Sequence, residues 1–417
     1  MSDKEKEKNQ ESKKDAGKIF LEEVSKSPLT VTLLAIVTGL LLGGLLVAGT
    51  SEEVFQAFRA SFWEGIKAAV DAAWATYRAL FYGSVGNPTK IIDAIKAGEA
   101  TDIRRAFNPF FESLVASTPY IFAGLSVALG FRVGLFNIGA EGQLFIGAAT
   151  AVTAALFLKG LPPIIHIPIS LLAGFAGGGL WGFIPGWLKA KTGGHEVINT
   201  IMMNYIAFRL SEFLLRGPLK NPEGYTPVSA EIQDSAKLFR FFESPIRFHM
   251  GFFIALLVAY LVYLFLFKTT WGYTLRTVGA NPRAAKYAGM NITQSTVVAM
   301  VLAGGLAGLA GANEVLGVNH NLAVAFSSGY GFDAIALALL GKSHPFGVVL
   351  SAILFGFLRN GAIQMQLSAG IPIDIISVLQ AFILTFIAAP AIIRTIYRLR
   401  EPDHDIDAVT LHGWGGN

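Results

Sequence analysis

Apolar runs of roughly 20 residues, the length that crosses a bilayer as an α-helix, recur along almost the whole chain. They lie at about 29–49, 109–130, 133–158, 162–188, 195–215, 248–268, 296–317, 345–366 and 371–393 of its 417 residues. Inside lipid every backbone N–H and C=O must be satisfied without water, so each run is expected to be a helix. An all-α polytopic membrane protein follows. A shorter apolar segment at about 330–341 is barely half a span and meets the next run through Lys342-Ser343-His344-Pro345. Read as a broken or re-entrant helix, it brings the expectation to about ten crossings, with both termini on one side.

Composition agrees: 53% of residues are hydrophobic and 15% charged, against about 25% charged in soluble domains. The net charge of +4 is concentrated at helix ends and in loops, which suits orientation in a membrane and gives no basis for nucleic-acid binding. One side collects the Lys-rich N-terminal tail, Lys189, Lys191, Lys268 through Lys286, Lys342, Arg394, Arg398 and Arg400. The other has Lys159, the neutral loop 318–329 and the turn near Ala369. The basic side is therefore expected to be cytoplasmic. No cysteine is present, which excludes disulfides, thiolate metal sites and cysteine nucleophiles. Residues 1–28 read as a charged cytoplasmic tail with no cleaved signal peptide evident, 29–49 as the first transmembrane helix, 50–108 as an external insert and 401–417 as a cytoplasmic tail.

In the insert, Val54-Phe55-Gln56-Ala57-Phe58 and Ala72-Ala73-Trp74-Ala75-Thr76-Tyr77 place apolar residues at helical spacing with charges between. That pattern suggests amphipathic helices lying at the membrane interface. The other external loop, 216–247, holds Pro218, Pro222, Pro227 and Pro245 and reads either as a docking surface or as a passive connector.

The stretch from Gly130 to Gln143 puts glycines, Asn137, Glu141 and Gln143 where the flanks read as membrane helix. A segment of this kind bends, packs closely or lines a polar path, since an ionised carboxylate in lipid costs several kcal/mol. Glu141 reads either as an acceptor for neighbouring amides or as a path residue, and Glu314 stands near the external end of its span, where incoming substrate would meet it. Phe136, Asn137, Gln143, Asn204 and Asn313 supply an aromatic face and neutral hydrogen-bonding groups. Glu212, Arg359 and Asp374 lie close enough to span ends to reach water by snorkelling. Glycine sets such as Gly174 with Gly177-Gly178-Gly179, and Gly304-Gly305 with Gly308 and Gly311, read as close helix packing.

Ala336 to Ser343 fits a relaxed phosphate-loop pattern, but the residues before Gly341 are Leu and Ala, whose amides are better used within a helix. No ATPase site is assigned to this chain. The basic loop 269–295 is more telling. Asn281 followed by Pro282 reads as an N-cap and first turn, and Gly289 as a stop, enclosing a short helix with Arg283, Ala284, Ala285 and Lys286. It suits either a docking element or a positively charged connector.

This loop, the Gly130–Gln143 segment, His195-Glu196-Val197-Ile198-Asn199-Thr200-Ile201-Met202-Met203-Asn204-Tyr205, Gly329-Tyr330-Gly331-Phe332-Asp333 and Phe355-Gly356-Phe357-Leu358-Arg359-Asn360-Gly361 together resemble the permease subunits of ABC importers for branched-chain amino acids, simple sugars and nucleosides. Asn137-Ile138-Gly139-Ala140-Glu141-Gly142-Gln143 is most similar to the nucleoside branch, which depends on a lipoprotein binding protein. The resemblance implies a permease transmembrane domain over 109–400 in a bacterial plasma membrane, forming a path for nucleosides by alternating access. It implies two cytoplasmic ABC ATPases that use ATP, a second permease chain, related or else identical, and an extracytoplasmic substrate-binding lipoprotein. No cofactor is bound by this chain itself. The ATPase-coupling element would comprise Gly279, Ala280, Asn281, Pro282, Arg283, Ala284, Ala285 and Gly289. A simple-sugar permease for ribose or galactose is the alternative, and an ion-coupled secondary transporter, kept open by Glu141 and Glu314, comes after it. An intramembrane enzyme is disfavoured, because the seven histidines are scattered with no metal-ligand spacing.

Overall fold

The structure, a computed structural model, describes residues 28–369 and 374–399. The expected tails at 1–27 and 400–417, and the turn at 370–373, lie outside the described residues. The chain divides into two compact units, Met1–Thr76 with Ile371–Asn417, and Tyr77–Gly370.

In the smaller unit α1 (Pro28–Thr50) packs along α15 (Asp374–Ala388) and α16 (Pro390–Ile396). Val31, Ala35 and Ile393 are buried together, and Thr38 Oγ1 lies 3.0 Å from the Tyr397 hydroxyl. Leu33, Val37, Leu41 and Leu45, spaced four apart on the opposite face, stay exposed, as a lipid-facing stripe should. Pro390, which lacks an N–H and restricts Ala389, breaks α15 from α16. After Thr50 come α2 (Glu52–Ala60) and the start of α3 (Phe62–Ser84).

The larger unit is built around α5 (Ala100–Arg132), which packs on α14 (Pro345–Ala369), α13 (Tyr330–Leu340) and α12 (Ile292–Asn313). Before α5 comes α4 (Pro88–Ala97), capped by Asn87. The remaining elements are α6 (Ala140–Phe157), α7 (Pro163–Thr192), α8 (Glu196–Arg216), α9 (Gly251–Lys268), α10 (Thr270–Ala280) and α11 (Pro282–Tyr287). The expected glycine packing is present. Gly178 lies on Gly304 and Gly308, and Gly308 on Gly174, so closely that a Cβ at Gly178, Gly304 or Gly308 would strike the backbone opposite. Without a hydrophobic drive between helices in lipid, such backbone contact supplies van der Waals packing directly.

Two helix starts differ from expectation. α5 begins at Ala100, ahead of the span expected from 109; Pro109 sits inside the helix, and its carbonyl accepts from the Ser113 and Asn360 side chains. Residues 133–139 form a turn, and α6 starts only at Ala140. Seven described helices are long and apolar enough to span, or eight if the bent pair α15–α16 is one span. The expected span at 195–215 is a helix, α8, whose Asn199, Asn204, Arg209 and Glu212 lower its hydropathy.

The segment between α12 and α14 is irregular. After a π-helical turn, Glu314–Asn319, the chain pairs with the long loop: Ile232 N–H donates to His320 O and Ser229 N–H to Leu322 O, both at 2.9 Å. It then drops to α13, an 11-residue helix about 16 Å long, roughly half the hydrocarbon core. The amides that would have formed a phosphate loop are used here: Gly341 N–H bonds Leu337 O and Ser343 N–H bonds Ala338 O.

Candidate functional site

At the end of the larger unit that carries the 269–295 loop, three helices start on side-chain caps. Thr269 Oγ1 accepts from Gly272 N–H, Asn281 Oδ1 from Ala284 N–H and Asn291 Oδ1 from Gln294 N–H, each at 3.0 Å. Pro282 occupies the first turn of α11, and Gly289, at φ +80°, lets the chain turn out of it. Ala285 is turned inward and buried, while Arg283, Ala284 and Lys286 are exposed and Tyr287 is 97% exposed.

In the last turn of α10, Gly279 bears directly on the end of α5. A Cβ on Gly279 would strike the Arg132 carbonyl and the Val133 backbone, and one on Gly134 would come within 3.3 Å of Gly279 O. Arg132 Nε also donates to Ser343 O at 2.9 Å and its Nη2 to Lys342 O at 3.2 Å. Arg132 and Arg276, both half-buried, stand 5.5 and 5.0 Å from the Phe267 ring, a cation–π arrangement. Thus α5, α9, α10 and the α13–α14 turn converge here.

The turn that follows is stapled. Asn137 Nδ2 donates to Gln143 Oε1 at 2.8 Å, and Gln143 Nε2 donates back to Asn137 Oδ1 at 3.2 Å. Asn137 Oδ1 also accepts from Gly139 N–H at 3.1 Å. From α8, Asn204 Nδ2 donates to Ile138 O at 2.9 Å while its Oδ1 accepts from Gly142 N–H at 2.8 Å. Phe136 is half-buried, its ring 5.2 Å from that of Phe131. Glu141, almost fully buried, accepts from Gly331 N–H at 2.6 Å through Oε2. Its carboxylate therefore caps the N-terminus of α13, where the helix dipole is positive.

Around that N-terminus lies a polar cluster. The Tyr120 hydroxyl donates to Asp333 Oδ2 at 2.8 Å, and its ring meets Tyr330 edge-on at 5.0 Å. Glu314, buried in the π-helical turn, faces the Tyr330 hydroxyl and Arg247. Arg247 is itself held by Glu112, with Nε 3.1 Å from both carboxylate oxygens. Asn313, 1% exposed, has no hydrogen-bond partner for either amide atom among the described residues. Beside it, His249 Nδ1 accepts from Gly251 N–H at 3.1 Å, which places the ring proton on Nε2, and that atom also lacks a partner among the described residues. Gly251 and Gly317 are bare where these two side chains press against them.

Residues 110–391 match the family described as branched-chain amino acid transport system / permease component. The chain belongs to this permease family. The guanosine ABC transporter permease protein NupP of Bacillus subtilis (strain 168) is 44% identical over 291 residues, 68% of this chain and 82% of that protein. The glucose ABC transporter permease protein TsgB13 of Haloferax volcanii is 35% identical over 66% of this chain and 75% of its own length. The nucleoside ABC transporter permease protein NupB of Lactococcus lactis is 35% identical over 68% of this chain and 80% of its own. No solved structure matches the chain. The protein is a multi-pass permease subunit of the plasma membrane, not an enzyme, and ABC permeases act with ATPase and substrate-binding partners.

Within this permease, Asn137, Glu141, Gln143 and Asn204 come together around the 133–139 turn, their polar atoms bonded to protein. Asn313 and Glu314 stand together in the second cluster, which meets the first where Tyr330 adjoins Gly331. Phe136 lies in the 133–139 turn itself, its ring against that of Phe131. Tyr120, Tyr330 and His249 escaped sequence reasoning. A phenol in an apolar run such as Tyr120 needs a buried partner, and that was the available signal.

Proposed function

We propose that this permease carries nucleosides inward, as one of two permease chains served by cytoplasmic ATPases at α11 and by an extracytoplasmic binding lipoprotein. The observation that carries the mechanism is the contact of Gly279 with Arg132–Gly134. ATPase closure moves the α10–α11 hairpin, and Gly279 transmits the displacement to the 133–139 turn. Because Asn137, Gln143 and Asn204 staple that turn to α6 and α8, it moves as a body. Glu141 then draws the N-terminus of α13, shifting Tyr330 and Asp333 against Glu314 and Asn313. Such a rigid relay biases a two-state equilibrium between outward and inward access.

The substrate class follows from relatives named for guanosine and nucleosides and from the chemistry of the half-helix. Where transporters hold anionic substrates at such N-termini, Glu141 and Asp333 already occupy this one. A neutral solute fits better. Asn313 and His249 keep an unpaired acceptor and donors that a nucleobase edge would complete. A simple sugar is the second reading, favoured by the relative named for glucose. Competition uptake with guanosine, uridine, ribose and galactose separates them. Nucleosides should displace labelled guanosine while the sugars leave it in place; displacement by ribose or galactose alone would overturn the reading.

A further inference from the structure

The strap formed by α2 and α3 carries apolar surface that the larger unit's transport relay does not use. At about 100° per residue, Trp63, Ile66, Val70 and Trp74 fall on one narrow arc of α3, and all four are exposed, Trp63 by 75% and Trp74 by 68%. Glu64, Lys67, Asp71 and Arg78 fall on the adjoining arc. The third face is turned toward protein: Gly65 is buried because the Phe58 ring of α2 lies against it, and Thr76 is buried too. Phe58, Phe62 and Trp63 form an exposed aromatic cluster at the α2–α3 elbow, with ring centroids 6.2 and 5.7 Å apart.

Two features place this strap at a membrane boundary. Its first helix starts at Glu52, two residues after the end of α1, a span of mean hydropathy 2.5. Its C-terminal end is fastened to spanning helices: Asn360 Nδ2 donates to Gly83 O at 3.0 Å, and Ser113 Oγ to Ser84 O at 2.8 Å. A 23-residue helix is long enough to cross, but four charges on one arc are incompatible with lipid on all sides. Lying in the interface plane satisfies every face at once, with protein on the first, acyl chains against the aromatic arc and water on the charged arc.

We propose that Trp63, Ile66, Val70 and Trp74 form a membrane-interface strap that seats in the headgroup–acyl boundary of a phospholipid bilayer. Its charged arc holds two acids and two bases, so burial of apolar side chains drives the seating and anionic lipid is not required. This assignment is independent of the transported substrate.

The chain has no cysteine, so single nitroxide labels can be placed at Ile66→Cys, Val70→Cys, Lys67→Cys and Asp71→Cys in the full-length protein. In phosphatidylcholine vesicles, labels at 66 and 70 should collide with oxygen more than with a water-soluble nickel chelate, and labels at 67 and 71 should show the reverse. A native-chain readout is tryptophan quenching by lipids brominated near the headgroup, which the double variant W63F/W74F should reduce by about a third, two of six tryptophans being removed. The proposal fails if labels at 66 and 70 match 67 and 71 in nickel accessibility. It also fails if they are shielded from both reagents, which would mean that protein, such as a second permease chain, covers the arc.

Discussion

Glu141 and Gly331 lie 190 residues apart in the chain, yet the carboxylate of one accepts the backbone N–H of the other at 2.6 Å. This bond joins the start of α6 to the start of α13, and so joins the stapled turn to the polar cluster around Tyr330. Removing the acceptor in Glu141→Ala leaves a buried N–H unpaired, at a cost of about 1–3 kcal/mol. Glu141→Gln keeps an acceptor and loses only the charge–dipole part, about 0.3–1 kcal/mol. Thermal melting of the purified permease should fall clearly for the first and little for the second, with uptake following the same order.

Asn281 caps a helix of only six residues. Asn281→Ala should destabilise α11 by about 1 kcal/mol while leaving the global melting temperature unchanged, since α11 is exposed. Co-purification with the ATPase subunits should weaken, and uptake should drop with it.

Asn313 offers a test of whether an orphaned amide is kept for the substrate. Asn313→Leu removes two unpaired buried polar atoms at similar size, so stability should hold or rise. Uptake of guanosine should nevertheless fall roughly tenfold, the loss of about 1.4 kcal/mol of recognition. Unchanged uptake would remove Asn313 from the substrate path.

The long loop carries a pH-sensitive contact. Arg240 Nη2 donates to His320 Nε2 at 2.7 Å, which requires a neutral imidazole. Burial first, then the Arg240 and Lys237 charges, lower the His320 pKa. The unfolded chain therefore takes up this proton at higher pH than the folded one, so the contribution is whole above about pH 6.5 and is lost as pH falls toward the lowered value. Melting temperature should decline from pH 7.5 to 5.5, and His320→Gln, which keeps an acceptor, should flatten that decline.

What sequence made legible was local. The spans, the glycine packing and the Asn281–Pro282 start depend on residues within a few turns of one another, where periodicity and capping rules apply. The amide residues were recognisable by type, but their pairing was not. Asn204 and Gly142 are 62 residues apart, and nothing in either segment names the other. Asn137 and Gln143 read as groups available to substrate because their mutual bond depends on the turn at 133–139, which the apolar pattern obscured. The start of α5 at Ala100 was hidden by Asp102, Arg104 and Arg105, which made its first turns read as part of the insert.

The central claim is that Gly279 hands motion from the α10–α11 hairpin to the turn after Arg132. Its most direct test is uptake per ATP hydrolysed by the assembled transporter carrying Gly279→Val in proteoliposomes. The variant complex should assemble and hydrolyse ATP at near wild-type rate, with uptake per ATP reduced about tenfold, a coupling loss near 1.4 kcal/mol. An assembled variant that imports as much per ATP as the wild type would contradict it.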